Sequence, residues 1–506
     1  TQRVARSIAN LIAIAAIPWE EFFDRTSLVE EVLGQDPSGF YSRMDFASRD
    51  RYRRRVEALA RYSSTSEPDV AAEAVEQAAS HKANEAASHV GYWLVGTGRP
   101  HLEGRVGARF PLGQRLRQLV MRHPGKVYLL ALILAGIGAL LLPIAYLYLI
   151  GASLPGWIGG LLLSFIPASI LAITVVNWII TRSLPPRVLD KLDFSKGLAE
   201  DCRTIVTVPV IVASPGEVSK LAEQIETHWL ANADPMLQVA LLADLPDAPD
   251  ERLPEDDAIV ADLESQIRGL NDRHGKAGRA PFHLLVRPRY FNPAQGCWLA
   301  WERKRGKLEQ FNRLLIEGDG SAFSHHVGDR GALEGIRFVV TVDADTMLAP
   351  GSVAKLAGTL AHPLNQPEVD PKTGRIVSGY SIIQPRVEIS PQSGMRTLFT
   401  RLFTGDTAID IYSRAVSDVY QDLFGAGIFV GKGIYDLIAF HESVDGRVPE
   451  NRVLSHDLFE GAHGRAALAT DIVLYEGFPA SYPEFERRMH RWIRGDWQLL
   501  PWLGRK

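Results

Sequence analysis

The chain of 506 residues is 46% apolar and 23% charged, a globular composition that excludes extensive disorder, and its length points to two or three domains. A formal charge of -4 excludes a strongly basic surface, so no nucleic-acid partner is expected. With only two cysteines, Cys202 and Cys297, a disulfide framework and a Cys-rich metal site are excluded, and a reducing compartment is favoured.

Residues 1–125 read as a polar, helical, cytosolic region. The apolar run 8–17 is short and lacks a small-residue cleavage pattern, so it is not read as a signal peptide. Helix signals follow at 28–33, with a stop at Gly34, and at 40–57, where interdigitated Arg and Asp suit either an anion site or, more commonly, a solvated helix face. The Ala-rich stretch 71–91 is strongly helix-forming. Two uncharged apolar runs, 127–150 and 157–180, are each long enough to cross a bilayer, so residues 126–181 are expected to form two transmembrane helices. Arg115, Arg117, Arg122 and Lys126 on one outer flank and Arg182, Arg187 and Lys191 on the other put both flanks in the cytoplasm by the positive-inside bias. Trp157 and Trp178 stand where an interfacial belt would place them.

From 182 to 506 strand and helix signals alternate. Strands are expected at 204–213, 237–244 and 282–287, with helices at 218–230, 254–273 and around 312–316. This order predicts an α/β domain with a mostly parallel sheet flanked by helices and ligands at the carboxyl ends of the strands. The run 336–342 ends in Asp343-Ala344-Asp345. On a strand the two acids would point the same way, as hard oxygen ligands for Mg2+ or Mn2+ holding a diphosphate, or they would simply begin an Asx turn. The glycines of 423–433 permit close backbone approach to a ligand or serve a strand with turns, and Lys432 beside them could meet a phosphate or a sugar hydroxyl. In Ser455-His456-Asp457, Asp457 suits a general base, or Ser455 or Asp457 caps a helix. On a helix 482–498, Arg488, Arg491 and Trp492 share a face, with Arg forks for diphosphate oxygens and an indole for a sugar, or else the helix lies at a membrane surface.

In that order and beside apolar spans, these motifs resemble the processive inverting GT-A glycosyltransferases of the cellulose and hyaluronan synthase kind. Thr341 to Pro350, Ser455-His456-Asp457, 486–498 and Arg43-Met44-Asp45-Phe46 resemble, within that group, the bacterial cyclic β-1,2-glucan synthases. The resemblance implies a GT-A domain over 182–506, UDP-glucose as donor, a growing β-glucan as acceptor, and the bacterial inner membrane as location, with catalysis on the cytosolic side. It gives Asp343 and Asp345 the metal, Asp457 the base role, and Arg488, Arg491 and Trp492 the diphosphate and acceptor end. Ser214, Glu217 and Asp244 become candidates for the donor's uracil, Lys307 for the nucleotide, and Gly425 and Gly427 for the glucan. Lys304 to Lys307 otherwise pass for a solvated charge run. Departures are S-H-D for T-E-D and R-x-x-R-W for Q-x-x-R-W. Such synthases are longer, which implies further spans and a C-terminal phosphorylase-like module. A chain that starts without Met and stops at Lys506 fits a piece of such a polypeptide. Rival readings are a synthase of another β-glucan or of a glycolipid, and a silent scaffold binding nucleotide or glucan. The enzyme requires Asp343, Asp345 and Asp457 to meet at one hollow, none sealed in a closed ion pair.

Overall fold

The computed structural model describes residues 2–15, 17–82, 84–275, 280–404, 418–453 and 456–502. Two compact units emerge: Thr1–Leu116 with Asp190–Asp193 and Ala361–Asn365, and the remainder of the chain.

The first unit is helical. Helices Leu28–Leu33, Phe46–Arg61, Glu67–Ser80, Val90–Leu94 and Arg99–Arg105 bury Leu33, Tyr52, Val56, Val70, Trp93 and Leu102. The helix-forming stretch 71–91 falls on two helices, Glu67–Ser80 and the start of Val90–Leu94. Ser66 caps the first by accepting from Asp69 N, and the run breaks after Ser80. It breaks because Asp36, in the core, takes the Val90 N–H (3.0 Å) and the His89 ring (2.8 Å), contacts that a continuing helix would forgo. Nor is the Arg-rich helix Phe46–Arg61 merely a solvated face. Arg53 pairs with buried Glu30 (2.5 Å), Arg51 with Asp190 (2.7 Å), Arg49 with Asp24 (2.9 Å) and with Glu30, and Arg55 with Glu103, so these guanidiniums are spent on structure.

In the second unit, helices Pro124–Leu149 and Leu154–Ser183 pack on each other and are long and apolar enough to cross a membrane. Leu142, Leu149 and Leu163 are exposed on them. Nine strands form one sheet: β1 (Thr204–Ile211), β2 (Leu237–Asp244), β3 (Phe282–Val286), β4 (His325–Val327), β5 (Phe338–Thr341), β6 (Thr346–Leu348), β7 (Ile382–Ile389), β8 (Gly433–Asp436) and β9 (Ala466–Glu476). Their order is β4-β3-β2-β1-β5-β8-β7-β9-β6. The pairings orient β1, β2, β3, β5, β7 and β9 one way and β4, β6 and β8 the other, a mixed and mostly parallel sheet. β1 and β2 are almost continuously apolar because both faces are covered. Helices Pro215–Ala231 and Asp256–His274 pack on β2 and β3, and helix Arg303–Glu317 packs on β1. Since β1 lies between β2 and β5 and all three are parallel, their carboxyl ends open on one edge, where an α/β sheet binds ligands.

Candidate active site

Strand β5 delivers the first acids, though they do not lie on the strand. Pairing continues as far as Val342 N to Thr207 O (3.1 Å), and then Asp343 O accepts from Thr346 N (3.0 Å), which closes a turn. Asp343 and Asp345 therefore leave the sheet in the turn between β5 and β6. Lys304 Nζ lies 2.5 Å from Asp343 Oδ1 and Lys432 Nζ lies 3.4 Å from Oδ2, while the Asp343 side chain stays 36% exposed. Burial works to raise the Asp343 pKa, but Lys304 and Lys432 prevail and lower it. The Asp345 side chain has no hydrogen bond or ion pair among the described residues. Its pKa is raised by the protein packed around it, then by Glu476 and Asp343. An under-compensated carboxylate beside a second one, all oxygen, fits a hard divalent cation.

Asp457 is the first residue of helix Asp457–His463, with His456 as N-cap and no side-chain cap; Ser455 lies outside the described residues. Gly431 brings Asp457 to the D-x-D. Its φ is +78°, and a Cβ there would stand 2.6 Å from Asp457 Oδ1. Gly431 O in turn accepts from Lys304 Nζ at 3.1 Å. Although burial opposes it, the Lys304 pKa is raised by Asp343 and Asp457 together, so one ammonium answers to both acids. His456 Nδ1 is 2.8 Å from Glu460 and 3.6 Å from Asp457. Against burial, those two acids raise the His456 pKa, which favours an imidazolium. His456, Asp457 and Glu460 are the group of three close enough for one metal ion among the described residues.

Behind the D-x-D stands Glu476, the last residue of β9 and paired in register with Thr346. It is buried, with Oε2 2.6 Å from Lys432 and Oε1 2.6 Å from Arg488. On helix Tyr482–Trp497 the Arg488 guanidinium lies over the Trp492 ring at 4.5 Å, and Arg491 is exposed. The charges run Arg488, Glu476, Lys432, Asp343, Lys304.

The remaining candidates divide. Asp244, at the end of β2, is buried, and both its oxygens accept from Arg287 at 2.8 Å; Lys307 Nζ, 3.0 Å away, also donates to Val210 O and Leu242 O. Burial pushes the Lys307 pKa down to about 8. Both groups lie at the ligand edge of the sheet, but their polar atoms are committed to the protein. Ser214 is half-buried ahead of helix Pro215–Ala231, and exposed Glu217 accepts from Ala213 N (3.1 Å). Gly425 and Gly427 approach protein atoms. A Cβ on Gly425, which has φ +67°, would meet the Arg187 guanidinium, and one on Gly427 would lie 2.7 Å from Leu468 N.

No protein-family model matches the chain. The chain is 40% identical over 503 residues to the cyclic beta-(1,2)-glucan synthase NdvB of Rhizobium meliloti (strain 1021), an alignment covering 98% of this chain and 18% of that protein. Over nearly its whole length the chain is thus similar to one part of that synthase. It spans about a fifth of its relative's length.

The residues that sequence reasoning passed over are Lys304, Glu460 and Glu476; Gly431 lay among the glycines singled out, but as an approach to ligand rather than to Asp457. Lys304 is no member of a solvated charge run, because it pairs with Asp343 and feels the charge of Asp457 as well. Glu302 and Arg303 just before it both take positive φ (49°), a strained entrance to helix Arg303–Glu317 that nothing in Trp-Glu-Arg-Lys announces. For Glu476 a signal was present: an acid closing an apolar run, directly before Gly477.

Proposed function

We propose that the chain is the glucosyltransferase segment of a cyclic β-1,2-glucan synthase, anchored in the bacterial inner membrane with its catalytic face in the cytosol. It transfers glucose from UDP-glucose to a growing β-1,2-linked chain with inversion. Lys304, paired with Asp343 and raised in pKa by Asp343 and Asp457 together, is the observation that supports this reading, with Asp345 in the same turn as Asp343, and the relative's name supplies the product class. The basic flanks of the two apolar helices support the sidedness.

Asp457 takes the proton from the 2-hydroxyl of the terminal glucose as that oxygen attacks the anomeric carbon and the bond to the diphosphate breaks. Half-buried, it stands 3.6 Å from His456 and beside Gly431, whose carbonyl accepts from Lys304. Asp343 and Asp345 would hold Mg2+ or Mn2+, which when bound supplies positive charge to the leaving diphosphate. Lys304, Arg488 and Arg491 add fixed positive charge on the same side, and Trp492, its ring faced by Arg488, is placed to floor the acceptor end. Asp457→Asn keeps the shape and removes the base. Glucan formation in membranes carrying that variant is expected to vanish while UDP-glucose binding persists; normal polymer yield would refute the assignment.

A further inference from the structure

Lys432 touches two parts of this machinery at once. Its ammonium lies 2.6 Å from Glu476 Oε2 and 3.4 Å from Asp343 Oδ2, with the side chain 6% exposed. An ammonium so enclosed is tolerable only while nearby carboxylates stay charged. Its backbone has little freedom to withdraw. Gly431 and Gly433 on either side have φ of +78° and +148°, and a Cβ on Gly433 would lie 2.4 Å from Ile383 O. Glu476 is fixed in turn by Arg488. On the solvent side, by contrast, Asp343 is partly open and Asp345 holds no partner among the described residues.

Most of the acids' charge is therefore already offset from within the protein. Lys304, Lys432 and Arg488 face Asp343, Asp345 and Glu476, and Lys304 faces Asp457 as well, three cations against four anions. A divalent cation arriving alone gains the acids but is repelled by the cations around them. A diphosphate arriving with it reverses that, because the same cations then have an anion to meet.

We propose that Lys432 is the internal counter-cation of the D-x-D, so that the acids take a divalent cation together with the donor's diphosphate and not ahead of it. This rests on the glucosyltransferase reading above. As the diphosphate enters, the ammonium turns from Asp343 toward phosphate oxygen, and Glu476 keeps the side chain within reach. Lys432 is thus a positioning residue that makes the two ligands cooperative.

The test uses the full chain in detergent micelles. Free Mn2+ is followed by its electron paramagnetic resonance signal with and without UDP, and UDP binding is measured separately by equilibrium dialysis. In the wild type, UDP is expected to tighten Mn2+ binding about tenfold or more. In Lys432→Met, Mn2+ alone should bind about tenfold tighter than in the wild type, and the effect of UDP should shrink to about threefold or less. Wild-type Mn2+ affinity that ignores UDP overturns the proposal, as does a folded Lys432→Met with unchanged affinity for Mn2+ alone. If the variant does not fold, the wild-type comparison decides. UDP failing to bind at all overturns the proposal and the glucosyltransferase reading together, whereas UDP that binds without altering Mn2+ affinity removes the proposal alone.

Discussion

Gly431 shows how much of the site depends on one missing side chain. Its left-handed backbone aims the carbonyl at Lys304, and the space where a Cβ would stand is taken by Asp457. Gly431→Ala pays twice. The conformation costs about 1–2 kcal/mol for an L-residue, and the new methyl displaces the carboxylate. A misplacement of roughly 1 Å at a reacting group lowers turnover about a hundredfold. The variant should fold, bind UDP-glucose within about threefold of the wild type and lose about two orders of magnitude in glucan synthesis. Dialysis and a radiolabelled-glucose assay measure the two, and a parallel fall of binding and turnover would show that Gly431 serves stability alone. Of the site at this scale, the sequence displayed the groups that react. Asp343, Asp345, Asp457, Arg488 and Trp492 sit in short patterns with a chemical purpose. The groups that compensate them, Lys304, Lys432 and Glu476, come from three distant stretches, and only tertiary structure says which carboxylate each one meets.

Among the elements, legibility followed the source of each one's stability. β1, β2, β3 and the two long apolar helices declare themselves because burial on every side, or in lipid, demands unbroken apolar runs. β4 and β6, three residues each, carry too little pattern to separate from loop. β7 and β9 hide their pairing behind a register shift at Pro385 and Arg386. Helix Phe46–Arg61 was legible as a helix but not in its purpose, since alternating charge looks alike on a wet face and in an internal network. That network centres on Glu30, which accepts from Tyr41 Oη (2.6 Å) and from Arg53 (2.5 Å) and also pairs with Arg49. Glu30→Ala leaves Arg49 and Arg53, among the described residues, only the more exposed Asp24 and Asp50 as partners, so the loss falls below the roughly 3–5 kcal/mol of a buried charge left with none. The first unit should then unfold at lower temperature and be cut by protease in residues 28–61. An unchanged melting curve would return this helix to the solvated reading.

For the molecule as a whole, the titratable groups set a pH range. Burial lowers the His228 pKa to about 4; burial, then His326, lowers that of His283 to about 3. His362, stacked edge-on against His89 in the first unit, is also held well below its usual value by burial. In the unfolded chain these imidazoles protonate near 6.5, whereas folded they refuse the proton, so below about pH 6.5 the unfolded state binds more protons. Stability is therefore lost as pH falls, by about 1.4 kcal/mol per pH unit for each such histidine. His456 acts in the opposite sense. Its folded pKa is raised, so its contribution is complete below about pH 6.5 and disappears as pH climbs through the folded value. Together these fix a maximum near neutrality with the steeper arm on the acid side. Between pH 6.5 and 5, His228 and His283 alone remove about 3 kcal/mol, a large part of a domain's whole margin. Thermal unfolding of the detergent-solubilised chain at about pH 7, 6 and 5 should show melting temperature falling faster over the second interval than the first. His283→Gln, which keeps an amide opposite Gln238 and removes the titration, should flatten that arm. A melting temperature constant down to pH 5 would mean that these rings are hydrated in the folded protein and protonate there as freely as in the unfolded chain.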